Sequence, residues 1–114
     1  MQHDFHMWSE HDLDAIRSHL DLAVSEDCLG IDPQNAHQGR DALEKNVRAF
    51  RTHFPTAVVS LASQVDSHHQ RHRYAWEIEI NGHTLITGMD VTTINNNDLI
   101  ERVDGFFGDL KPLD

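Results

Sequence analysis

Leu13, Ile16, Leu20 and Val24 recur at steps of three and four behind Asp12, the period of an apolar helix face behind a residue type that caps helix N-termini. The spacing predicts an amphipathic helix of about three turns. Phe5 and Trp8 lie three apart upstream and predict a short helix over about His3 to Glu10, broken near His11-Asp12. Between Asp27 and Pro33 the pattern changes to alternation at Leu29 and Ile31, and Asp32-Pro33 closes the segment, because proline biases the residue before it toward extended backbone. A short strand running into a turn is expected there. A second helix opens at Gly39, places Leu43, Val47, Phe50 and Phe54 on one face, and stops at Pro55.

From Thr56 onward the period is two. Val58-Val59-Ser60-Leu61 begins one strand, and Tyr74, Trp76, Ile78 and Ile80 alternate with Arg73, Ala75, Glu77 and Glu79 in a second. Asn81-Gly82 is a strong two-residue hairpin signal, since both residues tolerate positive φ. A third strand runs from His83 to Ile94, Asn95 to Asp98 make the next turn, and Leu99 to Phe107 form a fourth. Helices followed by an antiparallel meander specify an α+β fold, with the N-terminal helices packed on one face of a strongly curved sheet. Strict alternation from the hairpin pairs Ile80 with His83, Ile78 with Leu85, Trp76 with Thr87 and Tyr74 with Met89. It leaves Asp90 on the face opposite Trp76, and puts Arg73, Glu77, Glu79, Thr84 and Ile86 on the outward face. A bulge would return Asp90 to the inner face, and Gly88 is the candidate site for it.

The 114 residues suit one domain over 1–114, with no internal repeat or linker. Nine Lys and Arg against nineteen Asp and Glu give a net charge of −10, which disfavours nucleic acid and anionic membrane surfaces as partners. Ten histidines would cancel most of that charge in mild acid, so solubility should fall there. Cys28 has no second cysteine and no adjacent cation, and reads as a small buried apolar residue. No run reaches the roughly 18 apolar residues of a membrane span, and the N-terminus lacks a signal peptide's pattern, so cytoplasmic residence is the default expectation. His68-His69-Gln70-Arg71-His72 invites a metal reading. On a strand, however, His68 and His72 share a face that His69 leaves, and Arg71 and Arg73 add unfavourable charge. No metal and no cofactor is expected; a solvated hairpin tip accounts for the run.

Four blocks in order along the chain resemble the nuclear transport factor 2-like superfamily, which includes ketosteroid isomerases and SnoaL-like polyketide cyclases. They are His11-Asp12-Leu13-Asp14-Ala15-Ile16, Ile31-Asp32-Pro33 ahead of Gly39-Arg40-Asp41-Ala42-Leu43, Gly88-Met89-Asp90-Val91, and Ile100 to Phe107. The resemblance implies a cone-shaped α+β barrel closing an apolar pocket, cofactor-free proton transfer next to a carbonyl, and a homodimer formed through the sheet. It also implies that Asp32, directly before proline, is the general base, and that Asp90 donates a hydrogen bond to the enolate oxygen while protonated. The chemistry fits the pair: a base stays ionised at a pocket mouth, while a donor carboxyl must be buried among apolar groups. The family's oxyanion tyrosine has no counterpart, because its position falls on Asp4.

The expected pocket wall is Trp8, Leu29, Phe50, Tyr74, Trp76, Ile78, Met89 and Phe107, suited to a small hydrophobic or carbonyl-bearing molecule. Simpler roles stand beside the catalytic ones. Asp32 can merely cap amides in its own turn, and Asp90 can pair with Arg73 or Arg102. The whole domain can equally be a non-catalytic ligand-binding or dimerisation module.

Overall fold

The structure, a computed structural model, describes residues 8–114. The Asp12 carboxylate accepts from the Asp14 amide at 3.0 Å and starts a single 3-10 turn, Leu13–Ala15, which runs into helix α1, Ile16–Ala23. Val24, expected as the last apolar position of that helix, is instead the first residue of strand β1, Val24–Ile31. Its buried side chain serves the same core from the strand. The chain continues through β2 (Ala36–Gln38), α2 (Arg40–His53), β3 (Val58–Leu61), β4 (Asp66–His68), β5 (Arg71–Ile80), β6 (His83–Ile94) and β7 (Ile100–Phe107). Most of the upstream helix expected from His3, and Asp4 with it, lies outside the described residues.

The strands form one curved sheet in the order β2-β1-β7-β6-β5-β3, with β4 added beside β5. The α+β class is as expected, with the two helices packed on the sheet. Two particulars differ from the antiparallel barrel anticipated. Strand β1 runs parallel to β7, which makes the sheet mixed, and the sheet is not closed. Ile16 and Leu20 of α1, Leu43 and Val47 of α2, and Val24 and Ile100 of the β1–β7 pair make the core. Cys28 belongs to it, as its composition suggested. Arg17 ties the helices at their surface, donating to Asp41 at 2.7 Å and Glu44 at 3.1 Å.

Asn81 (φ 53°) and Gly82 (φ 80°) turn the β5–β6 hairpin with two positive φ values, as a two-residue loop matching strand twist requires. Ile80 faces His83 as predicted, and then the register shifts: Glu79 faces Thr84 but Ile78 faces Ile86. Leu85 is the extra residue, so the bulge sits three positions before Gly88. Every later pair moves by one. Trp76 therefore faces Gly88 and Tyr74 faces Asp90, in place of Thr87 and Met89. Asp90 and Ile86 join the inner face, and Met89 is turned to the outer one.

Candidate functional site

A cavity of about 570 Å³ lies between α2 and the inner face of β1, β5, β6 and β7. Of the residues expected in its wall, Trp8, Phe50, Trp76, Ile78 and Phe107 are there, together with both Asp32 and Asp90. Aromatic contacts brace two sides: Trp8 meets Phe50 edge-on at 5.5 Å between centroids, and Trp76 meets Phe107 at 5.7 Å. Three expected residues do not line it. Leu29 leaves the cavity to Cys28 and Gly30, its neighbours on the opposite face of β1. Met89 is displaced outward by the Leu85 bulge. Tyr74 shares the inner face with Trp76 but is buried behind the wall, its hydroxyl 2.9 Å from Thr92 Oγ1.

Asp90 pairs with neither arginine, since Arg73 bonds Asp66 and Arg102 bonds Asp104. Instead Trp76 Nε1 donates to its Oδ1 at 2.9 Å, and the Tyr74 hydroxyl approaches Oδ2 at 3.5 Å. Burial pushes the Asp90 carboxyl up to about 6, the Trp76 and Tyr74 donors work against the shift, and the Asp32 charge adds to it.

The Asp32 carboxylate occupies its own turn: Oδ1 accepts from the Gln34 and Asn35 amides, each at 2.8 Å, and from Asn35 Nδ2 at 3.4 Å. The capping role weighed from the sequence is thus present, on a side chain that also reaches the cavity. Gly105 of β7 separates the two acids. A Cβ built there would lie 2.9 Å from Asp90 Oδ1 and 3.3 Å from Asp32 Cβ, so the acids are no farther apart than those distances laid end to end.

His37 of β2 also lines the cavity, and nothing in the sequence singled it out. It belongs to a three-residue strand too short to show a period, and it acquires meaning only by pairing with Gly30. Burial holds its imidazole below the usual pKa, with the Asp32 charge opposing. The histidine run lies apart, at the β4–β5 turn, where His69 (φ 49°) and Gln70 (φ 64°) reverse the chain. Among the described residues no group of three His, Cys, Asp or Glu side chains could hold a metal ion, and no helix is long and apolar enough to cross a membrane.

The Asp90 shift has a thermodynamic consequence. Folding favours the protonated acid, so the native state binds more protons than the unfolded one between pH 3.8 and about 6. Stability is lost as pH rises through that window, and the cost stands in full above it. Asp90→Asn should gain on the wild type by up to about 3 kcal/mol between pH 4 and pH 7 in urea titrations. A difference independent of pH would refute the raised titration of the half-buried Asp90 carboxyl.

No protein-family model matches the sequence, and no curated protein matches it. Solved structures do. A protein from Agrobacterium tumefaciens, provisionally named an isomerase of the SnoaL-like family, superposes with a TM-score of 0.89 at 27% identity, covering 95% of this chain and 93% of that one. An NTF2-like protein of unknown function from Exiguobacterium sp. 255-15 gives 0.76 at 18% identity, over 96% and 98% of the two chains. A provisionally named polyketide cyclase from Sinorhizobium meliloti gives 0.70 at 18%, over 90% and 89%. The chain has the fold of the nuclear transport factor 2-like superfamily, and its structural neighbours include SnoaL-like proteins.

Proposed function

We propose that the domain binds a small apolar molecule bearing a carbonyl and moves a proton at the carbon beside that carbonyl, without a cofactor. The supporting observation is a half-buried carboxyl, Asp90, in a largely apolar cavity that Asp32 also lines from the other side of Gly105. Asp32, anchored through Oδ1, takes the proton from carbon on Oδ2. The electrons of the broken C–H bond pass into the enolate, and protonated Asp90 donates a hydrogen bond to its oxygen. Return of the proton to the same or a conjugated carbon gives exchange or isomerisation. With no tyrosine at the family's position, Trp76 Nε1 holds the Asp90 carboxyl in place. A neighbour's provisional name as an isomerase agrees with this class of reaction.

The test is deuterium uptake at the α carbon of a panel of enones and β-keto compounds in D2O, followed by proton NMR. Wild-type protein should accelerate uptake, and Asp32→Asn should slow it by about a hundredfold. Undiminished uptake in that variant removes Asp32 as the base. Binding without any exchange in the wild type favours the other reading, a ligand-binding module in which Asp32 only caps its turn. A second copy of the chain is the partner we propose for the outer sheet face, where the cross-strand neighbours Met89 and Phe106 are exposed.

A further inference from the structure

Resting on that reading of the cavity, we propose that His37 is the ligand's second polar anchor: its Nε2 hydrogen-bonds a hydroxyl, so the preferred ligand is a hydroxylated ketone over the plain ketone. The pairing of β2 with β1 sets His37 directly beside Gly30. A Cβ at Gly30 would fall 2.5 Å from His37 Nε2 and 2.8 Å from Cε1, so the imidazole occupies the seat that a side chain at position 30 would otherwise take. Gly30 is itself part of the cavity wall, as is His37. Nε2 is the ring nitrogen that packs against Gly30, itself a residue of the cavity wall.

Neither ring nitrogen is satisfied by the described residues. Nδ1 is buried with no hydrogen-bond partner, and an orphaned buried polar atom is a cost that native structures rarely retain without a use. Protonating the ring would leave the Nδ1 N–H buried without an acceptor, in line with the burial that keeps the imidazole neutral. A neutral imidazole offers one donor and one acceptor. A ligand hydroxyl can complete Nε2 in either tautomer, whereas a carbonyl can complete only the protonated one. Asp32, Gln34 and Asn35 line the same cavity from the turn that joins β1 to β2, so one rim is polar while the aromatic walls are not. A ligand suited to both carries its second oxygen at that rim.

The probes are 1-tetralone and its 5-, 6- and 7-hydroxy derivatives, with affinity read by calorimetry. At least one hydroxy isomer should bind the wild type about five- to tenfold more tightly than 1-tetralone. The preference, read as the ratio of the hydroxytetralone and 1-tetralone affinities in the same variant, should vanish in His37→Phe. Gly30→Ala, which displaces the ring but keeps the imidazole, should abolish it too. In the wild type alone, the His37 Nε2 nitrogen-15 shift should respond to the preferred hydroxytetralone and not to 1-tetralone, a readout that survives misfolding of either variant. A preference that persists in both variants, or a stationary Nε2 shift, overturns the role of His37 and leaves the cavity reading standing. Failure of every tetralone to bind the wild type overturns the cavity reading, and this inference with it.

Discussion

Arg51→Met should lower the unfolding free energy by about 3–5 kcal/mol and the melting temperature by on the order of 15 °C. Arg51 is 3% exposed, yet it makes no ion pair among the described residues. Its guanidinium donates instead to four backbone carbonyls: Glu10 at 3.1 Å, Trp8 at 3.2 Å, Ala57 at 2.7 Å and Pro55 at 2.8 Å. The planar fork spans the segment before α1 and the loop after α2 at once, which a lysine's single ammonium cannot do. Each charged hydrogen bond contributes about 1.5–3 kcal/mol, partly offset by the desolvation that lowers the Arg51 pKa. Methionine keeps the aliphatic stem and orphans the four acceptors. The loss should also free Trp8 from Phe50, so hydrogen exchange should rise over residues 8–12 before the global transition. A melting point within a degree or two of wild type would show that water replaces the guanidinium at no cost.

Arg51 also marks a boundary of what the sequence reveals. The period of four through Leu43 and Val47 continues to Arg51, and all three are buried on α2. Reading apolar residues alone diverts that stripe to Phe50 and Phe54, which line the cavity beside it, with Phe54 39% exposed. Local signals served well where local physics decides. Asp12 caps its turn, Gly39 precedes α2, and Asn81-Gly82 turns the hairpin at the expected residues. Contacts distant in sequence left no such trace. The parallel β1–β7 pair joins residues some seventy positions apart, and β2 is three residues at the sheet edge. The Leu85 bulge lies in a run, Thr84-Leu85-Ile86-Thr87, that reads as uninterrupted strand. Both carboxylates of the candidate site were identifiable from the sequence. Their proximity across Gly105, and the arrival of His37 beside them, depend on those nonlocal pairings.

Gly88 was the natural suspect for the bulge, and its actual role yields the second large effect. In β6 it faces Trp76 on β5 and Phe107 on β7. A Cβ there would fall inside the Trp76 indole and 2.5 Å from the Phe106 carbonyl oxygen. The Phe106 carbonyl cannot retreat without moving the β7 backbone, so the Trp76 indole must give way. Gly88→Ala should cost about 3–5 kcal/mol, overpacking and the lost Trp76 hydrogen bond together. The indole, once displaced, can no longer donate to Asp90 Oδ1, nor hold its edge contact with Phe107. Trp76 is the larger of the two donors that restrain the rise of the Asp90 carboxyl, whose value is about 6. Its removal should therefore carry the Asp90 midpoint higher in a carbon-13 carboxyl titration, at a pH where the variant is still folded. Because protonated Asp90 is the proposed donor to the enolate oxygen, the pH above which exchange activity fades should move upward with it. A variant that melts with the wild type and titrates Asp90 at the wild-type midpoint would show that the indole has another place to go, and that Asp90 does not depend on it.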